Sequence, residues 1–184
     1  MDYKKIFDLI LDENDFTVGG GSSSAIVGAM ACGLMGMVAN LSKGKNYGFS
    51  DNEYEDIIKE LNEMKANFLQ GAVDDNKAYM LIVNAYKLPK STDEEKKIRK
   101  KTIQNAGIEA AKVPLSNALL NKKVNDIGKK LLNRSNPACI TDLQAGIDLS
   151  YIGINMGKSN VKANLPLIKD ENIVKNFEEK IKNL

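Results

Sequence analysis

The chain has 184 residues, enough for one domain with a sizeable core, and its 43% hydrophobic and 27% charged content is that of a globular protein, not a disordered one. A net charge of +2 does not by itself point to nucleic acid, and only Arg99 and Arg134 are arginines, so base-reading guanidinium forks are scarce. There is no histidine, which excludes an imidazole general base, a Ser-His triad and a His-ligated metal. The two cysteines, Cys32 and Cys139, lie far apart, so a reduced cytoplasmic protein is expected.

In chain order, a short helix is expected over residues 3–11. VGGGSSSAIVGA (18–29) then leads into an uncharged, small-residue helix ending near Asn40. This is the one membrane-span candidate, but its Gly, Ala and Ser content fits close packing inside a soluble bundle. Ser50 and Glu53 form a capping box that opens a long helix through Tyr86, with an interruption possible near Gly71. Leu88-Pro89 breaks the chain, and Thr92 with Glu95 starts another helix. Pro114 is expected to kink or end it, with a further helix running to about Leu132. Ser135-Asn136-Pro137 is a turn, Thr141 with Gln144 caps an Ala/Gly/Ile-rich helix, and an amphipathic helix over 172–181 closes the chain. No stretch alternates as a strand, so one all-α helical bundle spanning 1–184 is the expected fold.

Three groups are awkward for a purely structural chain. Asp75 shares a helix face with Phe68 and Tyr79, a stripe that reads as buried; a carboxylate there needs a partner or a raised pKa, though it could also reach the helix rim. Asp142 follows Thr141 at a helix start, where capping is the simpler role. Lys43 and Lys45 in one loop and Lys87 and Lys90 in another could receive an anion if the loops converge. The GGGSSS run is neither a Walker loop nor a dinucleotide fingerprint, and it fits ligand contact and close packing equally.

Five segments together resemble the cyclodeaminase/cyclohydrolase family of folate enzymes: GGGSSSAIVGAMACGLMGMVANLSKGK (19–45), DDNKAYMLIVNAYKLPK (74–90), EEKKIRKKTIQNAGIEAAKVPL (94–115), NPACITDLQAG (136–146) and NVKANLPLIKD (160–170). Val18 stands where the family has a proline before GGGS, Ala138 where it has a second asparagine, and Thr141-Asp142 where it has Ser-Asp; the D-x-x-A-[YF] pattern falls on Asp75, Ala78 and Tyr79. The resemblance implies an all-helical homodimer with a tetrahydrofolate site at or near the subunit interface. It implies a methenyltetrahydrofolate cyclohydrolase, with formimidoyltetrahydrofolate cyclodeaminase or a non-catalytic folate binder as alternatives. Asp75 and Asp142 become the catalytic candidates, and Gly19, Gly20, Gly21, Ser22, Lys87, Thr141, Asn160 and Asn164 the folate-binding ones. A tetrahydrofolate derivative is the substrate, with no metal, separate prosthetic group, nucleic acid or membrane expected.

Overall fold

A computed structural model describes residue 12 and residues 14–184; the helix expected over 3–11 lies outside them. The described residues form five α-helices and no strand: α1 (Gly20–Ser42), α2 (Asp51–Lys87), α3 (Asp93–Leu131), α4 (Ile140–Asn164) and α5 (Glu171–Lys182). Short 3₁₀ turns at Pro137–Cys139 and Leu165–Leu167 flank α4.

Both expected capping boxes are present: Ser50 and Glu53 start α2, and Thr92 and Glu95 start α3. Each satisfies two N–H groups that the first helical turn would leave without acceptors. The Thr141–Gln144 cap is absent. The Pro137–Cys139 turn feeds directly into α4, with Cys139 at the N-cap, and Gln144 Nε2 donates to Asp148 instead, at 2.9 Å. The local backbone has already turned helical before Thr141, so its hydroxyl has no free first-turn N–H to accept.

Two expected breaks also fail to appear. α2 runs through Gly71, where the missing side chain leaves room for the Asn117 amide of α3. α3 runs through Pro114 for 39 residues. Proline cannot donate to the carbonyl four residues earlier, but that Ala110 carbonyl accepts from Asn164 Nδ2 at 2.9 Å. A tertiary donor replaces the lost helical one, so the helix continues.

α1 has no charged residue and is long and apolar enough to cross a membrane by composition, yet it lies against α2, α3 and α4. Its small residues allow that enclosure. Met35, Val38, Tyr54, Phe68, Val124, Leu131 and Leu143 fill the core around it. Two asparagines one turn apart on α3, Asn121 and Asn125, tie the helices together. Asn121 Nδ2 donates to the Ser24 and Asn117 carbonyls, and Asn125 Nδ2 to the Ile147 carbonyl and Ser150 Oγ, while Ser24 Oγ donates to the Gly153 carbonyl. These bonds pair buried amides with carbonyls across an otherwise apolar bundle, while Asn117 Nδ2 and Asn121 Oδ1 have no partner among the described residues. A second cluster (Ala111, Leu115, Val161, Leu165, Ile168, Phe177, Ile181) holds α5 against α3 and the end of α4.

Both cysteines are free and buried. Burial pushes the Cys32 thiol up to about 12, so it stays protonated and behaves as a small apolar side chain.

Candidate active site at the start of α1

α1 begins without a side-chain cap, because its N-cap residue is Gly19. The group that approaches its first turn comes from a different helix. Ser22 Oγ donates to Asp75 Oδ2 at 3.0 Å and lies 3.3 Å from the Ala72 carbonyl, and the Ser22 backbone N–H also favours the Asp75 carboxylate. Asp75 therefore caps α1 from α2, in the position where a helix N-terminus favours negative charge.

The glycine run follows from that approach. A Cβ on Gly21 would fall inside the Asp75 carboxyl group, and one on Gly20 would lie 2.7 Å from Asn160 Nδ2 of α4. Gly19 faces open space. Two of the three glycines are thus required by two polar side chains that meet at the head of α1.

Burial is the largest influence on Asp75 and pushes its carboxyl above the usual carboxylate range; the Ser22 hydroxyl and N–H oppose the shift. The Ser22 hydroxyl suits both protonation states. It can donate to ionised Asp75, or accept from protonated Asp75 while donating to Ala72. Ser22→Ala removes the donor to the ionised form. Turnover below neutral pH is expected to fall about tenfold, with the acidic limb of the pH–rate profile moving to higher pH. Wild-type pH dependence in S22A would contradict this assignment.

Sequence reasoning missed the strap on the other side of the site. Asn76 Nδ2 donates to Thr17 Oγ1 at 2.5 Å, and Asp15 Oδ1 accepts from the Thr17 hydroxyl (2.6 Å) and N–H (2.9 Å), which holds the Asp15 carboxyl below its usual range. This turn pins residues 15–17 onto α2 beside Asp75. Its signal, an Asx-turn at Asp15 two residues before a threonine, is readable in sequence, but its docking on Asn76 is not.

The expected buried stripe is only half buried. Phe68 is fully enclosed, Asp75 half-buried and Tyr79 39% exposed. α1 begins beside Asp75, and Tyr79, one turn further along α2, is exposed on the same helix face. The groove of about 670 Å³ between α2 and α3 is lined by Asp74, not Asp75.

Of the ten expected site residues, Gly20, Gly21, Ser22, Asp75 and Asn160 are brought together, with Gly19 at the exposed rim. Asn164 lies one turn beyond Asn160 and donates to Ala110 and to the Asn160 carbonyl. Lys87 is exposed at the last residue of α2, about 18 Å along the helix from Asp75. Thr141 and Asp142 are elsewhere. α4 runs antiparallel to α1, with Gly153 at Ser24 and Gly146 at Met35, so Asp142 lies near the far end of α1, about 20 Å from Asp75. The lysine loops do not converge either: Lys43 pairs with Glu55 at 3.5 Å, near the start of α2, whereas Lys87 is its last residue, about 48 Å away, and Lys90 follows it.

The methenyltetrahydrofolate cyclohydrolase of Methylorubrum extorquens is 31% identical over 91% of this chain and 80% of its own length. The formimidoyltransferase-cyclodeaminase of Gallus gallus is 32% identical over 83% of this chain, which spans 28% of that longer enzyme. The crystal structure of formiminotetrahydrofolate cyclodeaminase from Thermotoga maritima superposes with a TM-score of 0.86 at 32% identity, covering 100% of this chain and 87% of that one. The sequence profile of the formiminotransferase-cyclodeaminase family matches residues 5–183, and the chain belongs to that family.

Proposed function

We propose that this protein is a methenyltetrahydrofolate cyclohydrolase, converting 5,10-methenyltetrahydrofolate and water to 10-formyltetrahydrofolate. The observation that carries the proposal is Asp75: a carboxylate with a raised pKa, held at the head of α1, which has no N-cap side chain of its own, in a chain with no histidine. It is joined to the likeness to the M. extorquens cyclohydrolase over most of both chains.

The methenyl carbon bridging N5 and N10 is already cationic, and a nearby carboxylate stabilises that charge. Asp75 accepts a proton as a water oxygen bonds to the carbon, giving a neutral carbinolamine. The carbon–N5 bond then breaks as the hydroxyl becomes a carbonyl. N5 takes the proton held by Asp75, and the hydroxyl proton leaves to solvent. Raising the carboxyl pKa suits it to both transfers near neutral pH. The exposed backbone of Gly19 and Gly20, with the Asn160 amide, offers polar contacts to the pterin, Tyr79 a stacking face, and Lys87 a cation for the glutamate tail.

The T. maritima and G. gallus likenesses favour a second reading, cyclodeamination. There N10 attacks the carbon of the protonated formimino group, Asp75 takes the N10 proton and passes it to the amino nitrogen, and the carbon–nitrogen bond breaks as ammonia departs and leaves the methenyl cation. Purified protein decides between them: loss of methenyl absorbance without ammonia supports hydrolysis. Ammonia release from 5-formiminotetrahydrofolate with negligible methenyl hydrolysis reverses the assignment. Reversible folate binding with neither reaction leaves a non-catalytic binder.

A homodimer belongs to the same proposal. The outward face of α1 carries exposed Met30, Met37 and Leu41, with open space at Gly33 and Gly36. An uncharged helix left half open needs a cover. Two-fold pairing about a point between Gly33 and Leu34 sets Met30 of one copy against Met37 of the other, and brings the Asp142 end of one α1 beside the Asp75 end of its mate. Met37→Lys is expected to sediment as a monomer and to lose most turnover. A dimeric, fully active M37K would place the interface elsewhere.

A further inference from the structure

We propose that Asn164 is a positioning residue: bound to the carbonyl that Pro114 leaves free on α3, it fixes the end of α4 and so holds Asn160 against the α1 turn that carries Asp75. The inference rests on Asp75 being the reacting carboxylate.

Pro114 lies inside α3 and has no N–H, so the Ala110 carbonyl lacks its helical donor. Asn164 Nδ2 supplies one at 2.9 Å, and the same nitrogen donates to the Asn160 carbonyl at 3.0 Å. Both hydrogens of this amide therefore have acceptors within the protein, and none is left for a ligand. Asn164 is also the last residue of α4, where the chain passes into the Leu165–Leu167 turn, so the bond to α3 sets where α4 stops. The two backbones approach closely here: a Cβ on Gly157 would lie 2.8 Å from the Pro114 carbonyl oxygen.

Asn160, one turn before Asn164, donates to the Met156 carbonyl at 2.9 Å, and its amide lies against Gly20. Gly20 precedes Gly21, which accommodates the Asp75 carboxylate, and Ser22, which donates to it. The path from Pro114 through Ala110, Asn164 and Asn160 to Gly20 and Asp75 is continuous. A proline in mid-helix, otherwise a defect, provides the free carbonyl that Asn164 needs. Asn164 thus acts on the reaction through the geometry of the α1 turn.

The arrangement separates satisfying the Ala110 carbonyl from tethering α4 to it. Pro114→Ala restores an N–H that can serve Ala110 but gives α4 no tether. Turnover and KM, for whichever of the two folate reactions the enzyme performs, are measured against pH for the wild type, N164A, P114A and the double variant, alongside thermal melts. N164A is expected to lose about tenfold in kcat with KM within about twofold, its acidic limb moving upward as the Ser22 donors to Asp75 loosen. P114A, which keeps Asn164, stays within about twofold of wild type, whereas N164A/P114A regains melting temperature without regaining kcat. Full recovery of kcat in the double variant, or a loss confined to KM, would overturn the proposal. If N164A does not fold, a folded double variant with the tenfold kcat loss supports the proposal and a fully active one overturns it. D75N in the same assay separates the two claims: an inactive D75N beside an N164A of wild-type kcat removes this inference alone, whereas an active D75N removes the Asp75 reading beneath it.

Discussion

Asp75→Asn is expected to lower turnover by about 10²–10⁴-fold, the usual scale for loss of a general acid–base, with folate binding changed by no more than a few-fold. The substitution is nearly isosteric, and the Asn oxygen can still accept from Ser22, so the turn that Gly20 and Gly21 make around position 75 should persist. The same change should stabilise the fold. Burial raises the Asp75 pKa above its unfolded value, so its contribution to stability is fully present below the ordinary carboxylate range and is lost as pH rises through the folded value. D75N removes that loss. Its melting temperature should match wild type in acid and exceed it at neutral pH, each kcal/mol being worth roughly 2–4 °C in a chain of this size. Opposite movements of activity and stability are the mark of a carboxylate kept in an unfavourable place for chemistry. Near-normal turnover in D75N, or a lower melting point at neutral pH, would contradict both halves of the argument.

What could be read from the sequence follows how local each signal is. The starts of α2 and α3 were legible because a capping box is complete within four residues. The all-helical fold was legible because every apolar stripe has the helical period. Pro114 misled because its effect depends on a donor fifty residues away in sequence, on Asn164, which no local rule can supply. The glycine run was ambiguous for the same reason. Its side-chain-free space is occupied by Asp75 and Asn160, both distant in sequence, so packing and site-building turn out to be one fact. Asp75 itself stood out through its apolar neighbours, although Tyr79 is more open than the stripe suggested. Asp142 carried a local signal just as sharp, but the antiparallel course of α4 puts it at the other end of α1. The asparagines at 117, 121 and 125 were passed over because polar residues one turn apart normally read as a solvated face. Here Asn121 and Asn125 bind backbone carbonyls of three helices in the core.

Gly21→Ala tests that unity of packing and chemistry most directly, because it adds one methyl group and removes no functional atom. The new Cβ would overlap the Asp75 carboxyl group, which is anchored on a helix and cannot simply swing clear. Either α1 shifts at its first turn or the carboxylate is expelled from beneath it. Both break the Ser22–Asp75 hydrogen bond at the point where α1 has no cap of its own. Overpacking a tight contact costs about 1–3 kcal/mol, so a melting point several degrees below wild type is expected. Turnover should fall further than stability alone explains, by about 10²-fold or more in protein that is still folded, because a displacement of about 1 Å is enough to misplace an acid–base group. Gly19→Ala is the matched control. Nothing lies within 4 Å of its Cβ position, so it should leave the melting point unchanged and turnover within a few-fold. If G21A and G19A behaved alike, the head of α1 would be an exposed loop with no hold on Asp75. The tenfold and larger effects expected at Ser22 and Asn164 would then have no structural basis.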